Sequence, residues 1–446
     1  MFLAACAPCA DEYVHGKVAC GGKGIADVVV TDGFGCVKTD EDGSFRLEKK
    51  RDARFIYITT PAGYLVNVKD KTIPQFYKRI EKGQDEYNFE LIKNKRSDER
   101  HLFLVQADVQ VTGEPDLRQY QVSLKDMRQY IDGNTDGRDI FGIDCGDMVD
   151  NNASLYPLYL KEVGMLDIPI YRAIGNHDMT YGGRTYEYSY QTYEDYFGPI
   201  YYSFNKGKIH YIVLNNNFYV NRDFQYIGYI DERTFVWLEK DLSYVSSDTP
   251  VILIAHIPIS LTKELQWNKL LQDETSNAAG LFDILRGYKA HIISGHWHTN
   301  TNICYNDSLM EHNVAAVCGS WWKKSVCMDG TPAGYGVFEV DGTDVRWVYK
   351  SVGYPVEYQF KVYPQGVCKE YPSDFIANVW NWDDEWKVEW YENGKYVGAM
   401  ERYTGKAPDA GNTEHLFHAT PMNPQAEIMV RVTDRFGNVY EQKLLD

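Results

Sequence analysis

Between residues 101 and 351 the chain alternates short apolar runs with segments that are apolar on only one face. The apolar runs at 102–107, 140–145, 170–174, 210–214, 251–255 and 291–294 are strand-length and end abruptly at glycine or polar residues. The segments at 117–131, 155–165, 232–242 and 278–287 repeat apolar residues at helical spacing. Strands that alternate with helices predict an α/β domain. The flanks read differently. Residues 16–18, 26–30 and 44–47 are short strand candidates, parted by turn clusters at 21–24 and 40–43. After residue 353 period-two alternation returns at 386–391 and 427–432, and Asn393-Gly394 supplies a two-residue hairpin turn. The expected organisation is a short leader over 1–11, an all-β sandwich over 12–95, the α/β domain over 96–352 and a second β-sandwich over 353–446.

Composition narrows the function classes. The 446 residues carry 63 Asp and Glu against 46 Lys and Arg, a formal charge of −17. A surface this acidic repels polyanions, and no basic groove with interleaved aromatics is present, so nucleic acid is an unfavourable partner and a nuclease a poor reading. The longest apolar runs are strand-sized, far short of the ~20 residues of a membrane-spanning helix. Nine cysteines, an odd number at irregular spacing, do not form a disulfide framework. Leu3-Ala4-Ala5-Cys6 resembles a bacterial lipoprotein cleavage box, which implies export to the periplasm or outer membrane with a lipid anchor at Cys6. In an exported protein Cys20 and Cys36 could pair.

The residues able to bind metal gather where apolar strands end. Asp108 follows the first run, Asp147 and Asp150 the second, and Asn176, His177 and Asp178 the third. His256 follows the fifth run, and His296 and His298 the sixth. In open α/β sheets ligands bind beyond the carboxyl ends of strands, so these residues are expected to converge on one site. Gly146, Gly175 and Gly295 each precede one of them, which lets the chain turn sharply and approach closely. Carboxylate, amide and imidazole together suit divalent transition metals. Singly, each element has an ordinary explanation: Gly-Asp after a strand is a common turn, and a lone His256 would be a hydrogen-bonded core residue. Five such turns in one order do not.

Asp108-Val109-Gln110, Gly146-Asp147-Met148-Val149-Asp150, Gly175-Asn176-His177-Asp178, His256 and Gly295-His296-Trp297-His298 resemble, in order and spacing, the motifs of the calcineurin-like metallophosphoesterases. The flanking β segments, together with Gly319-Ser320-Trp321-Trp322 and Asp329-Gly330-Thr331-Pro332, resemble a bacterial subfamily with an N-terminal transthyretin- or carboxypeptidase-regulatory-like module and a C-terminal β module. The resemblance implies a central α/β sandwich of two mixed sheets and a dinuclear-metal hydrolase of phosphate mono- or diesters. Its nucleophile is a metal-bridging hydroxide. Asp147 bridges the two metals, Asp108, Gln110 and His298 complete the first, and Asn176, His256 and His296 hold the second. His177 is then the general acid to the leaving alkoxide, with Asp178 fixing its tautomer and raising its pKa, while Asp150 buttresses the loop. The substrates implied are small phosphate esters such as a phosphorylated glycan, a nucleotide or a lipid headgroup.

One position departs from the pattern, which usually has Asp-x-His where this chain has Asp108-Val109-Gln110. A Gln oxygen is a weaker, harder ligand, so the first metal is expected to be looser and to favour Mn, Mg or Fe over Zn. The same departure supports the alternative of a non-catalytic cell-surface protein that holds a phosphorylated glycan or lipid at a degenerate metal site. Three other features read as structural. Residues 132–137 open like a calcium loop, but the twelfth position is Ile143, so a solvated turn is expected. The tyrosines between 181 and 202 either wall the cleft or pack the core. Trp321 and Trp322 pose the same choice and lean towards the core, where Trp380, Trp382, Trp386 and Trp390 are also expected.

Overall fold

The computed structural model describes residues 13–222, 225–263, 265, 269–408 and 410–444. The Leu3–Cys6 box and Cys9 lie outside them. The central domain holds two sheets. One has five strands in the order Ile170–Arg172, Asp139–Asp144, Arg100–Gln106, Gly334–Asp341, Asp344–Ser351. The other has six, in the order Tyr202–Lys206, Ile209–Val213, Val251–Ile254, Ala290–Ser294, Leu309–Asn313, Thr301–Asn306. The first three strands of the five-stranded sheet pair parallel, and Gly334–Asp341 pairs antiparallel with both its neighbours. In the six-stranded sheet the two outer pairings are antiparallel and the inner ones parallel. Both sheets are therefore mixed, and the domain is an α/β layered structure.

Aromatic side chains fill the space between the two sheets. Phe103 stacks on Phe338 with centroids 4.9 Å apart, and Phe141 reaches across to Tyr211 and Phe204 at 5.5 and 5.9 Å. These strands are buried on both faces, which is why they read as continuous apolar runs and not as alternating ones. The helices cover the outer faces. Glu114–Gly133 begins with Pro115 in its first turn beside Glu114 and Asp116, favourable at a helix N-terminus. It buries Leu117, Tyr120, Leu124, Met127 and Ile131, one stripe at three- and four-residue spacing. The segment after it is a turn in which Asp136 pairs with Arg138, and Ile143 lies in the next strand, as the failed calcium-loop pattern requires.

The flanks are all-β. Residues 13–93 form two four-stranded sheets with short two-stranded additions, and residues 361–443 form two antiparallel four-stranded sheets. Asn393 and Gly394 both adopt positive φ, 48° and 76°, between Lys387–Glu392 and Lys395–Ala399, as a primed hairpin turn demands. The expected Cys20–Cys36 pair is not made. Both are free thiols, because Cys20 ends a strand of one sheet while Cys36 begins an edge strand of the other. Both flanks are tied to the centre by buried polar contacts. Arg172 donates to the Thr72 carbonyl and hydroxyl, and Asn378 donates to the Asp329 carbonyl. Among the described residues no helix is long and apolar enough to cross a membrane.

Candidate metal centre

The loops at the strand ends bring the candidate ligands close together. Asp108, Asp147, Asn176, His256 and His298 are buried, and His296 has only its side-chain edge exposed. Asp108, Gln110, Asp147, His296 and His298 all adopt left-handed φ, between 40° and 73°. Non-glycine residues held there cost roughly 1–3 kcal/mol each and collect where function over-determines them. The glycines make the approach possible. A Cβ on Gly175 would lie 2.1 Å from Asp147 Oδ1, one on Gly295 2.8 Å from Asp108 Oδ2, and one on Gly146 2.8 Å from His256 Nδ1. Gly175→Ala is therefore expected to displace Asp147. Stability should fall by about 1–3 kcal/mol, and bound metal and turnover should fall with it; a denaturation midpoint measured beside elemental analysis checks this. A fully metallated, fully active variant would contradict it.

Hydrogen bonds fix which ring nitrogens face the centre. His256 Nδ1 contacts the Cys145 carbonyl at 2.7 Å, so it carries a proton and Nε2 is the nitrogen turned inward. Nε2 faces Asp147 Oδ2 at 3.2 Å, Asn176 Oδ1 at 3.0 Å and His296 Nδ1 at 3.2 Å, a place that a proton fills in the metal-free chain and that a cation can take. His296 is turned the same way, with its Nε2 3.7 Å from the Asp273 carboxylate. Four electron-pair donors thus meet at one point, and the ligand atoms of Asp147, His256 and His296 all lie within 4.8 Å of one another. Burial alone would lower the pKa of His256, but Asp147 outweighs it and takes it up to about 9. Burial likewise works to raise the Asp147 carboxyl, and His256 and His177 hold it well below the usual carboxylate range. A divalent cation neutralises such a cluster more fully than one proton does.

A second position lies at Asp108. His298 Nδ1 contacts the Gly319 carbonyl at 3.0 Å, leaving a buried Nε2 with no hydrogen-bond partner 3.6 Å from Asp108 Oδ1. An unpartnered buried imidazole nitrogen facing a carboxylate is a ligand pair in waiting. The His296 backbone N–H donates to both Asp108 oxygens, at 3.1 and 2.9 Å, and so joins the two halves. The donor set fits two divalent cations.

Family comparison agrees with this geometry. Residues 101–300 match the model for the calcineurin-like phosphoesterase domain, residues 12–94 that for the N terminal of calcineurin-like phosphoesterase, and residues 311–440 that for its C terminal. The chain belongs to the calcineurin-like phosphoesterases. No curated protein sequence matches it. Among solved structures it is similar to a dimetal phosphatase from Danio rerio (13% identity, covering 56% of this chain and 95% of that one, TM-score 0.40). A purple acid phosphatase from yellow lupin (Lupinus luteus) seeds is similar at 13% identity, 73% and 67% coverage and TM-score 0.41. A 5'-nucleotidase from Candida albicans is similar at 13% identity, 58% and 53% coverage and TM-score 0.36. These likenesses are too distant to assign a substrate.

Two residues of this phosphoesterase sit otherwise than expected. Asp178 does not orient His177. Its buried carboxylate accepts the backbone N–H groups of Asp147, Met148 and Gly175 and the Tyr156 hydroxyl, clamping two motif loops together. Burial and the Asp147 charge push its pKa up, to about 8, against the pull of the Gly175 N–H. His177 turns its Nδ1 instead to Asp150 Oδ1 and to the Asn151 amide nitrogen, each at 2.7 Å, and Asn151 also donates to the Asp150 carboxylate at 2.9 Å. Its Nε2 lies 4.0 Å from Asp147 Oδ2, at the edge of the centre. Gln110 is the other. Its amide Nε2 donates to Asp147 Oδ2 at 3.2 Å, and its oxygen accepts from the Cys318 thiol at 3.9 Å. As placed, Gln110 steadies the carboxylate and does not present its oxygen to the first metal.

Several partners of the phosphoesterase centre carry no local sequence signal. Asp273 and the Gly319 carbonyl each engage a histidine from a distant loop. Asp329, singled out within its Asp-Gly-Thr-Pro stretch but given no role, accepts the Asn300 N–H at 2.8 Å and contacts His415 at 3.0 Å, while the Met328 N–H donates to the His298 carbonyl. The C-terminal module thereby braces the His296–His298 loop. Tyr181 donates to the Asn176 carbonyl at 2.7 Å, but Tyr186, Tyr190 and Tyr193 are buried, so the tyrosine run is chiefly core. Of the two tryptophans expected in the core, Trp322 packs against it and donates to the Val109 carbonyl, whereas Trp321 is 45% exposed.

Proposed function

We propose that this phosphoesterase hydrolyses small phosphate esters with two divalent cations. Asp108 and His298 would hold one, Asn176, His256 and His296 the other, and Asp147 would stand between them. The observation that supports it is the pair of positions where an inward imidazole nitrogen faces a carboxylate, His256 Nε2 at Asp147 and the unpartnered His298 Nε2 at Asp108. Bound there, divalent cations supply Lewis acidity towards phosphoryl oxygens and acidify a water for in-line attack. The protein supplies the rest. The backbone clamp at Asp178 fixes the Asp147 and Asn176 loops against each other, so the ligands are preorganised. His177, oriented by Asp150, places its Nε2 at the rim, where a proton can pass to the departing alkoxide. Its partial exposure leaves room for that group.

The test is elemental analysis of purified protein beside a hydrolysis panel of nucleotides, sugar phosphates and phospholipid headgroups, with Mn²⁺ added. About two divalent ions per chain and turnover of at least one ester class are expected. Protein that takes up metal and binds esters without hydrolysing them would favour the non-catalytic reading. Protein that takes up no metal would overturn both.

A further inference from the structure

The loop 319–326 runs beside the metal centre and presents an aromatic ring to it. Trp321 has φ of +50°, a conformation that bulky residues rarely adopt, and Trp322 follows at +60°. The two strained residues are used differently. Trp322 is the anchor: its indole N–H donates to the Val109 carbonyl at 2.9 Å, within the first motif, and its ring meets Tyr120 edge-on at 6.3 Å. The Trp322 N–H also bonds back to the Cys318 carbonyl. Trp321 is the ring held out by that anchor. It lies 4.6 Å from the His298 imidazole at an interplanar angle of 31°, yet remains 45% exposed.

The surroundings of His296 carry aromatics as well. Trp297, between the two candidate ligands His296 and His298, is 39% exposed and pinned by its indole N–H to the Asp273 carbonyl. Tyr226 meets His296 edge-on at 6.2 Å. Among the described tryptophans only Trp297 and Trp321 are exposed, both beside metal-ligand residues, and Trp321 sits in a strained backbone. Burial does not explain that arrangement, and strain of this kind collects at ligand-contacting positions.

We propose that Trp321 forms a ring-binding subsite: its indole packs against the face of a ring in the alcohol portion of the ester whose phosphate sits at the metal centre. The substrate class is then a phosphate ester of a ring-bearing alcohol, a nucleoside or a sugar, in preference to an open-chain alcohol. This rests on the phosphoesterase reading above and narrows it. The two sources share the chemistry of a ring face offered to an indole, and they differ in how strongly they stack.

The experiment has a binding arm and a kinetic arm. Calorimetry on Mn²⁺-supplemented protein compares phenylphosphonate with methylphosphonate, which carry the same head with and without a ring and are not turned over. Wild type should bind the phenyl compound about tenfold more tightly; Trp321→Leu should lose most of that difference, and Trp321→Phe should keep it. In kinetics, Trp321→Leu should raise KM about tenfold for adenosine monophosphate or glucose 6-phosphate, whichever is the better substrate, with kcat and metal content little changed. KM for glycerol phosphate should stay within about twofold. A larger effect on the nucleotide identifies a nucleobase, and one on the hexose identifies a sugar.

Equal binding of the two phosphonates by wild type would overturn the subsite. So would equal losses on ring and open-chain esters together with lost metal, because that is the mark of a residue that only buttresses His298. Hydrolysis of no ester, with the phenyl preference intact and dependent on Trp321, would overturn the hydrolytic reading and leave the subsite standing.

Discussion

Asp147→Asn is expected to release metal from the centre and to lower turnover on the order of a thousandfold, several kcal/mol of transition-state stabilisation. The reason lies in what surrounds the carboxylate. Oδ1 accepts the His177 backbone N–H at 2.8 Å, while Oδ2 faces His256 Nε2 at 3.2 Å and the Gln110 amide at 3.2 Å. An amide fits the same volume but carries no charge. It removes the anion that balances His256 and that would stand between two cations. If its nitrogen occupies the Oδ2 position, it also sets a donor against the Gln110 donor. The fold should survive, because the substitution keeps volume and leaves the Asp178 clamp intact. Elemental analysis, turnover and a thermal midpoint therefore separate the outcomes. Loss of metal and activity with the midpoint of the metal-stripped protein retained is the expected set. Full metal content and full activity would refute the central position of Asp147.

The centre was legible in the sequence where one residue type does one job. Glycine before a polar residue at a strand end marks a turn with room for only a hydrogen, and the Gly146, Gly175 and Gly295 contacts are of that kind. The doubly buried strands were legible because their apolar runs are unbroken. The partner of His177 was not. Asn176–Asp178 is a single 3-10 turn, and neighbours on such a turn point about 120° apart. Asp178 therefore faces inward to backbone N–H groups while His177 faces the rim, and the carboxylate that meets it comes from the preceding motif. The fate of Gln110 was equally hidden, because an amide offers a donor and an acceptor and only the approach of Asp147 and Cys318 decides which faces where. Trp321 and Trp322 are chemically identical in the sequence. Their different exposures follow from one anchor, the bond from the Trp322 indole to Val109, which no pattern in the chain announces. The short N-terminal strands were placed only roughly: a strand expected over 26–30 forms as Val29–Thr31. In small, turn-rich sheets, pairing decides the boundary more than propensity does.

His177→Ala is expected to leave bound metal unchanged and to slow the reaction by an amount that depends on the leaving group. The side chain contacts Asp150 and Asn151 and approaches Asp147, but the ring nitrogens that face the two candidate metal positions belong to other residues. What it offers is a ring nitrogen at the rim, with Asp150 and Asn151 holding Nδ1 so that Nε2 is the nitrogen turned to the leaving group. An alkoxide departing from an alkyl phosphate needs that proton, so turnover on such an ester should fall by about 10²–10⁴-fold. A 4-nitrophenolate leaves readily without protonation, and its rate should fall by less than about tenfold. Asp150→Asn should reproduce the same leaving-group pattern in weaker form, because it loosens the ring without removing it, and KM should change little in either variant. A His177→Ala protein that cleaves an alkyl ester at the wild-type rate would show that protonation comes from elsewhere. Equal losses on both esters would show that the ring acts by binding and not by donating a proton.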